Sequence, residues 1–313
     1  MATIQMNSET NFTSLSRLSF GRTAIWFVAV TVCCCVWLSV GNGFARDKPD
    51  PFATLKGRLV RDGFDSTLIQ SLYAKSEVNF DARGISVYYR HREATANYDQ
   101  FLAKRSIDQA FDYFNKHKNT LKQAQIVYGV NGEVITAIIL VETRFGTMIG
   151  KRLVINTLST LAALGDKESR DLFWNEHLKG KDDRPKSRFD AWASRKSTWA
   201  YGELKAYLEY VDAQELDPLS MPGSFAGALG ISQFIPSSVL RFAQDGNGDG
   251  QINLFDHEDA IMSIAYYLKQ HGWKPGLSRD EQFRIVLKYN HSEYYAETIL
   301  NVAERLAELQ QMS

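Results

Sequence analysis

The chain has 313 residues, 44% of them hydrophobic and 23% charged, with 36 basic and 36 acidic side chains. Such a composition can bury a substantial core and argues against a disordered or fibrous chain. With charge in balance and no Lys/Arg stripe along any predicted helix, the electrostatic footprint of a nucleic-acid binder is missing.

The first 45 residues read differently from the rest. Arg17 and Arg22 precede an apolar run from Ala24 to Val40, and Gly43-Phe44-Ala45 places small residues where a signal peptidase reads. The expectation is a secretory signal cut after Ala45. An uncleaved membrane anchor is the alternative, because the run approaches the roughly 18 to 20 residues of a spanning helix. Either sends the remaining chain across a membrane. Cys33, Cys34 and Cys35 all fall within the run and lack the residues that precede a lipidated cysteine. The exported part therefore has no disulfide, zinc-thiolate site or cysteine nucleophile. Beyond Ala45, 34 basic and 35 acidic side chains remain, a net of about −1, so charge names no partner.

Residues 46–125 read as an N-terminal helical part. Phe52, Leu55, Leu59, Phe64, Leu68 and Leu72 recur near helical spacing with Gly63 as a break and Asp65 or Ser66 as a cap, which predicts two short helices. From Val78 to Tyr89, Ile85, Val87 and Tyr89 alternate after Gly84, which suits a short extended strand or a loop lying on the core. Ser106 to Tyr128 reads as one amphipathic helix closed by Gly129.

Residues 126–313 read as the catalytic domain. Asn131 caps a helix from Glu133 to Thr143, with Gly146 and Gly150 ending it. Leu153 to Leu164 forms another, closed by Gly165. Residues 166–200 alternate charges around Phe173, Trp174, Phe189, Trp192 and Trp199 and read as a solvated helical excursion or insertion. Tyr201 to Asp212 is helical; Pro218 and Pro222 break the chain; a glycine-rich turn from Gly223 leads to Ser238. Ala260 to His271 and Arg279 to Glu308 complete the helices. Few segments favour strand, so the predicted fold is mainly α.

In the helix from Glu133, the apolar positions Ile135, Ile138 and Ile139 mark one face, and Glu142 falls on that same face. A carboxylate turned toward apolar surroundings tends to keep its proton, which suits it to protonate a glycosidic oxygen. The alternatives are a structural pair with Arg144 or Arg152, or a side chain turned to solvent at the helix end.

Val141-Glu142-Thr143-Arg144-Phe145-Gly146, with Gly150-Lys151 and Asn156 to Leu161, resembles the catalytic segment of the lytic murein transglycosylase B family. Gly223 to Ser238 is similar to that family's second signature, and Tyr289-Asn290-His291-Ser292 to its third. The resemblance runs from about Phe52 to Glu308. It implies a lysozyme-like helical domain that is monomeric, periplasmic and acts on peptidoglycan glycan strands. Glu142 would be the single acid/base, forming 1,6-anhydromuramyl ends; Ser224, Gln233, Tyr267, Tyr289 and Asn290 would line the groove. Read from the residues alone, Tyr267 and Tyr289 also suit core aromatics, and Ser224 and Asn290 helix caps. The stretch between Trp273 and Tyr289 looks shorter than in the family's best-known members.

Asp245-Gly246-Asn247-Gly248-Asp249-Gly250-Gln251-Ile252-Asn253-Leu254-Phe255-Asp256 fits the twelve-residue EF-hand pattern. Calcium would be held by Asp245, Asn247 and Asp249 through side chains, Gln251 through its carbonyl and Asp256 through its carboxylate. Aspartate in the last position shortens the reach, so the expected affinity is modest, about 10⁻⁴ to 10⁻³ M; a polar loop without an ion is the alternative. No organic cofactor is implied, and no His-Glu-x-x-His or Gly-x-Ser-x-Gly occurs. Two rivals remain open at this level: a hydrolytic muramidase, and a non-catalytic peptidoglycan- or calcium-binding module.

Overall fold

Leu55 and Leu59, four apart, bury one face of α1 (Ala53–Arg61), and Ile69 and Leu72 bury one face of α2 (Ser66–Tyr73). Asp65 caps α2 by accepting from the Leu68 amide at 2.7 Å. These belong to a computed structural model that describes residues 50–90 and 97–312. The segment read as a signal or anchor, 1–45, lies outside the described residues.

The extended reading of the Gly84 region is overturned: Ala82–Arg90 is a helix, α3. Ile85 and Tyr89 are buried at i and i+4 while Val87 between them is 43% exposed, so the alternation was a sampled helical period. Asp81 starts this helix by accepting from the Gly84 amide at 2.9 Å.

The helix expected over Ser106–Tyr128 is two, α4 (Lys104–Lys116) and α5 (Lys118–Tyr128), broken at His117 with φ −104° and ψ 20°. The His117 ring packs on Tyr113, one helical turn back, at 4.4 Å and on His257 at 4.7 Å between centroids. Gly129, at φ 72°, closes α5 as expected. The boundary drawn at 125/126 falls inside α5.

At the centre lies α6 (Gly132–Thr143), buried without a break from Val134 to Leu140. A helix apolar all round needs neighbours on every side, and α4, α5 and α13 (Glu293–Gln311) supply them. Asn131 stands at its N-cap but makes no side-chain capping bond. A second wholly buried helix, α7 (Val154–Ala163), lies along α9 (Lys186–Ala213).

That packing corrects the reading of 166–200 as a solvated excursion. Short α8 (Lys167–Phe173) and a π turn at Trp174–Leu178 lead into α9, a continuous 28-residue helix. Phe173 and Phe189 stack at 5.5 Å, each at most 1% exposed. Phe173, Trp174 and Phe189 are therefore core, while Trp192 and Trp199 are only partly buried at its edge.

α10 (Pro236–Phe242) and α11 (His257–Gln270) follow the glycine-rich turn and the aspartate loop. The last predicted helix is also two, α12 (Arg279–Tyr289) and α13, because Asn290 is extended (φ −142°, ψ 128°) and the Ser292 hydroxyl caps a new start at Tyr295. One ladder completes the described residues: β1 (Arg152–Leu153) pairs antiparallel with β2 (Pro222–Gly223), Arg152 opposite Gly223. Lys48–Ser313 form one compact unit. The mainly α expectation holds.

Candidate active site

Glu142 stands in the last turn of α6, half-buried, where the continuous burial of the helix ends. The chain then turns sharply through three consecutive left-handed residues, Arg144, Phe145 and Gly146, with φ of 46°, 61° and 82°. Two of these carry side chains, a conformation that costs roughly 1 kcal/mol each and must be held by surroundings. Thr143 supplies part of that hold. It is fully buried, its hydroxyl donates to the Ile139 and Ile231 carbonyls at 3.3 and 3.2 Å, and it accepts from the Gly146 amide at 3.0 Å. Phe145 stacks on Tyr113 at 4.6 Å, and Arg144 donates to Gln100 at 2.5 Å.

The partner of Glu142 comes from the far end of the chain. The Tyr295 hydroxyl donates to Glu142 Oε1 at 2.7 Å, from a side chain 2% exposed at the start of α13. Tyr289 stacks beside it, with ring centroids 6.5 Å apart and planes 9° from parallel, and donates to the Ser232 carbonyl at 2.5 Å. Burial and the Glu142 carboxylate both hold these two phenols well above their ordinary range.

The residues expected to line a groove take different places. Tyr267 is 9% exposed, donates to the Lys288 carbonyl at 2.6 Å and meets Tyr289 edge-on at 5.0 Å, so it stands behind Tyr289. Asn290 ends α12 and accepts from the Ser292 amide at 3.1 Å. Ser224 accepts from the Ala226 and Ala228 amides and holds the glycine-rich turn. Gln233, itself left-handed at φ 51°, donates to the Gly230 carbonyl at 2.8 Å. Ser224 and Gln233 do meet on one surface, an open cleft of about 470 Å³ shared with Met148, Gly150, Lys151, Arg152, Gly223 and Phe225. Glu142 is not on its wall; Thr143, bonded to Ile231, and Tyr289, bonded to Ser232, tie the carboxylate to the loop that builds it.

Glycine is required where that cleft closes. Gly150 sits at φ 95°, and a Cβ there would overlap the Gly223 carbonyl. The two loops touch backbone to backbone as a result. Arg152 completes this wall and is held by Asp81 through a close ion pair to both carboxylate oxygens.

In the 245–256 loop the side chains fold onto the loop itself. Asp245 accepts from the Gly248 and Gly250 amides at 2.7 and 2.9 Å, Asn247 from Asp249, and Asp249 from Gln251. Asp256 caps α11 by accepting from Glu258 at 2.7 Å. Among the described residues no three His, Asp or Glu side chains converge as a ready cation cage. The donor set, oxygen only and without an ion pair to Asp245, Asp249 or Asp256 among the described residues, does suit a hard cation. The sequence reading missed Asp259. It is 1% exposed and ties the loop's ends by accepting from Gly246 and Asn253, each at 2.7 Å, and burial raises its pKa. The signal available was an aspartate inside an otherwise apolar helical period.

A helical core with a half-buried carboxylate at the end of its central helix, tied to the loop that builds a neighbouring cleft, fits a lysozyme-like α-helical domain. The chain matches the transglycosylase SLT domain family over residues 48–282 and belongs to it. It is 36% identical over 177 residues to membrane-bound lytic murein transglycosylase B of Escherichia coli strain K12, a match covering 56% of this chain and 41% of that protein. The chain thus spans about two fifths of the length of that curated relative. Soluble lytic transglycosylase SltB1 of Pseudomonas aeruginosa superposes with a TM-score of 0.67 at 26% identity, covering 82% of this chain and 98% of that one. Slt35 of Escherichia coli, solved in complex with calcium, gives 0.63 at 25% identity over 85% and 94%. The family resemblance read from the three sequence blocks is borne out.

Proposed function

We propose that this chain is a lytic transglycosylase that cleaves the bond between N-acetylmuramic acid and N-acetylglucosamine in peptidoglycan strands. The observation that carries this reading is Glu142 itself, gripped by the Tyr295 hydroxyl at the end of the buried α6, in a chain whose three family-like sequence blocks hold no other carboxylate. Protonated Glu142 donates to the glycosidic oxygen as the bond to C1 breaks. The carboxylate then takes the proton of the muramic C6 hydroxyl as that oxygen attacks C1, closing a 1,6-anhydro ring with no water consumed. A conventional glycosidase needs a second carboxylate roughly 5 to 9.5 Å away. Ser224 and Gln233 lie along the cleft that receives the strand, Tyr289 stacks on the tyrosine that grips the acid with Asn290 next to it at the end of α12, and Tyr267 backs Tyr289.

Mass spectrometry of products from purified sacculi tests this. Anhydro ends are expected from the parent chain, and Glu142→Gln lowers their rate by at least about a hundredfold. Reducing ends would mean hydrolysis, and undiminished cleavage by Glu142→Gln would remove the glutamate from the mechanism.

The 245–256 loop binds calcium in this reading, with Asp245, Asn247, Asp249, Gln251 and Asp256 as ligands; Slt35, solved with calcium, supports it. When bound, the ion supplies structural charge neutralisation. At millimolar calcium and an affinity of about 10⁻⁴ M, folding gains about 1.4 kcal/mol. That raises the melting temperature by roughly 3 to 5 °C. A chelator reverses the shift and Asp245→Asn abolishes it; equal melting curves with and without calcium would discard the ion. Location in the periplasm, soluble or held by the N-terminal segment, follows from the apolar run after Arg22 and is supported by the membrane-bound relative.

A further inference from the structure

From the cleft wall a row of partly buried aromatic rings continues over α3 onto α9. Phe225, on the wall, meets Tyr88 at 5.4 Å between centroids, and Tyr88 meets Trp192 at 5.7 Å. The Lys196 ammonium lies 4.9 Å over the Tyr88 ring and 4.7 Å over Trp199. All five side chains stay partly in solvent. A row of aromatic rings that keeps part of its surface in solvent and runs on from a cleft offers a binding face.

The chemistry of the strip selects its occupant. Flat apolar rings suit the C–H faces of sugar rings, and among the described residues Lys196 has no ion pair, which leaves its N–H donors to hydroxyl and N-acetyl oxygens. A helix docking here would need a deep apolar groove; a pleated polysaccharide needs only a shallow rail. Helical spacing explains the placement: Gly84 and Tyr88 share one face of α3, Gly84 lying under the Arg152 guanidinium of the cleft wall while Tyr88 reaches Phe225.

We propose that Phe225, Tyr88, Trp192, Lys196 and Trp199 form an accessory subsite for saccharide units of the strand lying beyond the cleft. This rests on the cleft being the glycan site. Its consequence is that affinity rises with strand length.

The test uses the Glu142→Gln chain, so that strands survive, and calorimetry with a single disaccharide fragment and with uncrosslinked strands several times longer. Tyr88→Ala and Trp199→Ala are added separately, with thermal melts to show that each folds; Trp192 is spared because it also packs on Tyr89 at 5.1 Å. Each ring removed is expected to weaken long-strand binding about tenfold and to narrow the ratio of long- to short-strand affinity by the same factor. Long strands binding folded variants as tightly as the parent overturns the subsite, as does an equal loss for both lengths. If neither length binds the parent, the glycan reading of the cleft fails and the subsite with it.

Discussion

Tyr295 fixes one oxygen of Glu142 at 2.7 Å while its own ring is locked between α6 and α12. A hydrogen bond to a charged acceptor contributes about 1.5 to 3 kcal/mol, so Tyr295→Phe should lower kcat by roughly tenfold to a hundredfold through loss of carboxylate orientation. KM for short fragments should move little, and steady-state kinetics separates the two; a change confined to KM would make Tyr295 a substrate contact instead. The sequence singles out Glu142 as the candidate, though the argument from a helical face needs correcting. Ile135, Ile138 and Ile139 do not mark one buried side of an amphipathic helix, because α6 is buried on every side until its last turn. What singles out Glu142 is that it stands where burial ends. Tyr295 was illegible because it lies 153 residues away, and Tyr294 beside it, 75% exposed, shows that residue type alone did not tell partner from surface.

Between elements, the Asp81–Arg152 pair joins the start of α3 to β1 and so to the cleft wall. Asp81 serves twice, as the acceptor for the Gly84 amide and as the anchor of the guanidinium, with its side chain 12% exposed. Asp81→Ala removes a cap and strands a half-buried cation, which should cost about 2 to 3 kcal/mol in denaturant unfolding. Asp81→Asn keeps the cap's acceptor and should cost less; equal losses would show that the pair, not the cap, carries the effect. Helix existence was legible wherever periodicity was long, as in α1, α2 and α7. Breaks were not: His117 and Asn290 interrupt apolar periods without glycine or proline, because the turn is set by what their rings and backbone meet in the fold. For α9 the misreading came from its charged outer face, since the buried stripe of Phe189, Ala193 and Ala200 only becomes a core signal once α7 lies against it.

Across the whole molecule, a buried aromatic node brings together the loop after Glu142 and the end of the aspartate loop. Tyr113 stacks on Phe145 and shares a 3.0 Å hydrogen bond with His257, and His117 packs against both. None of this could be read from the sequence, because it joins α4, α6 and α11 across 144 residues. Burial, then the neighbouring His257, push the His117 imidazole down from 6.5 to about 4, and its Nε2 is buried without a hydrogen-bond partner among the described residues. Between those two values the unfolded chain takes up a proton that the folded chain refuses. The neutral ring's stability is therefore fully present above about 6.5 and is lost as pH falls toward 4. The partly exposed ring limits the loss to on the order of 1 to 2 kcal/mol. His117→Phe keeps the aromatic packing and removes the titration, so its melting temperature should fall less than the parent's over that window. Parallel curves for the two chains would assign the acid sensitivity to carboxylates elsewhere and leave the node a purely packing contact.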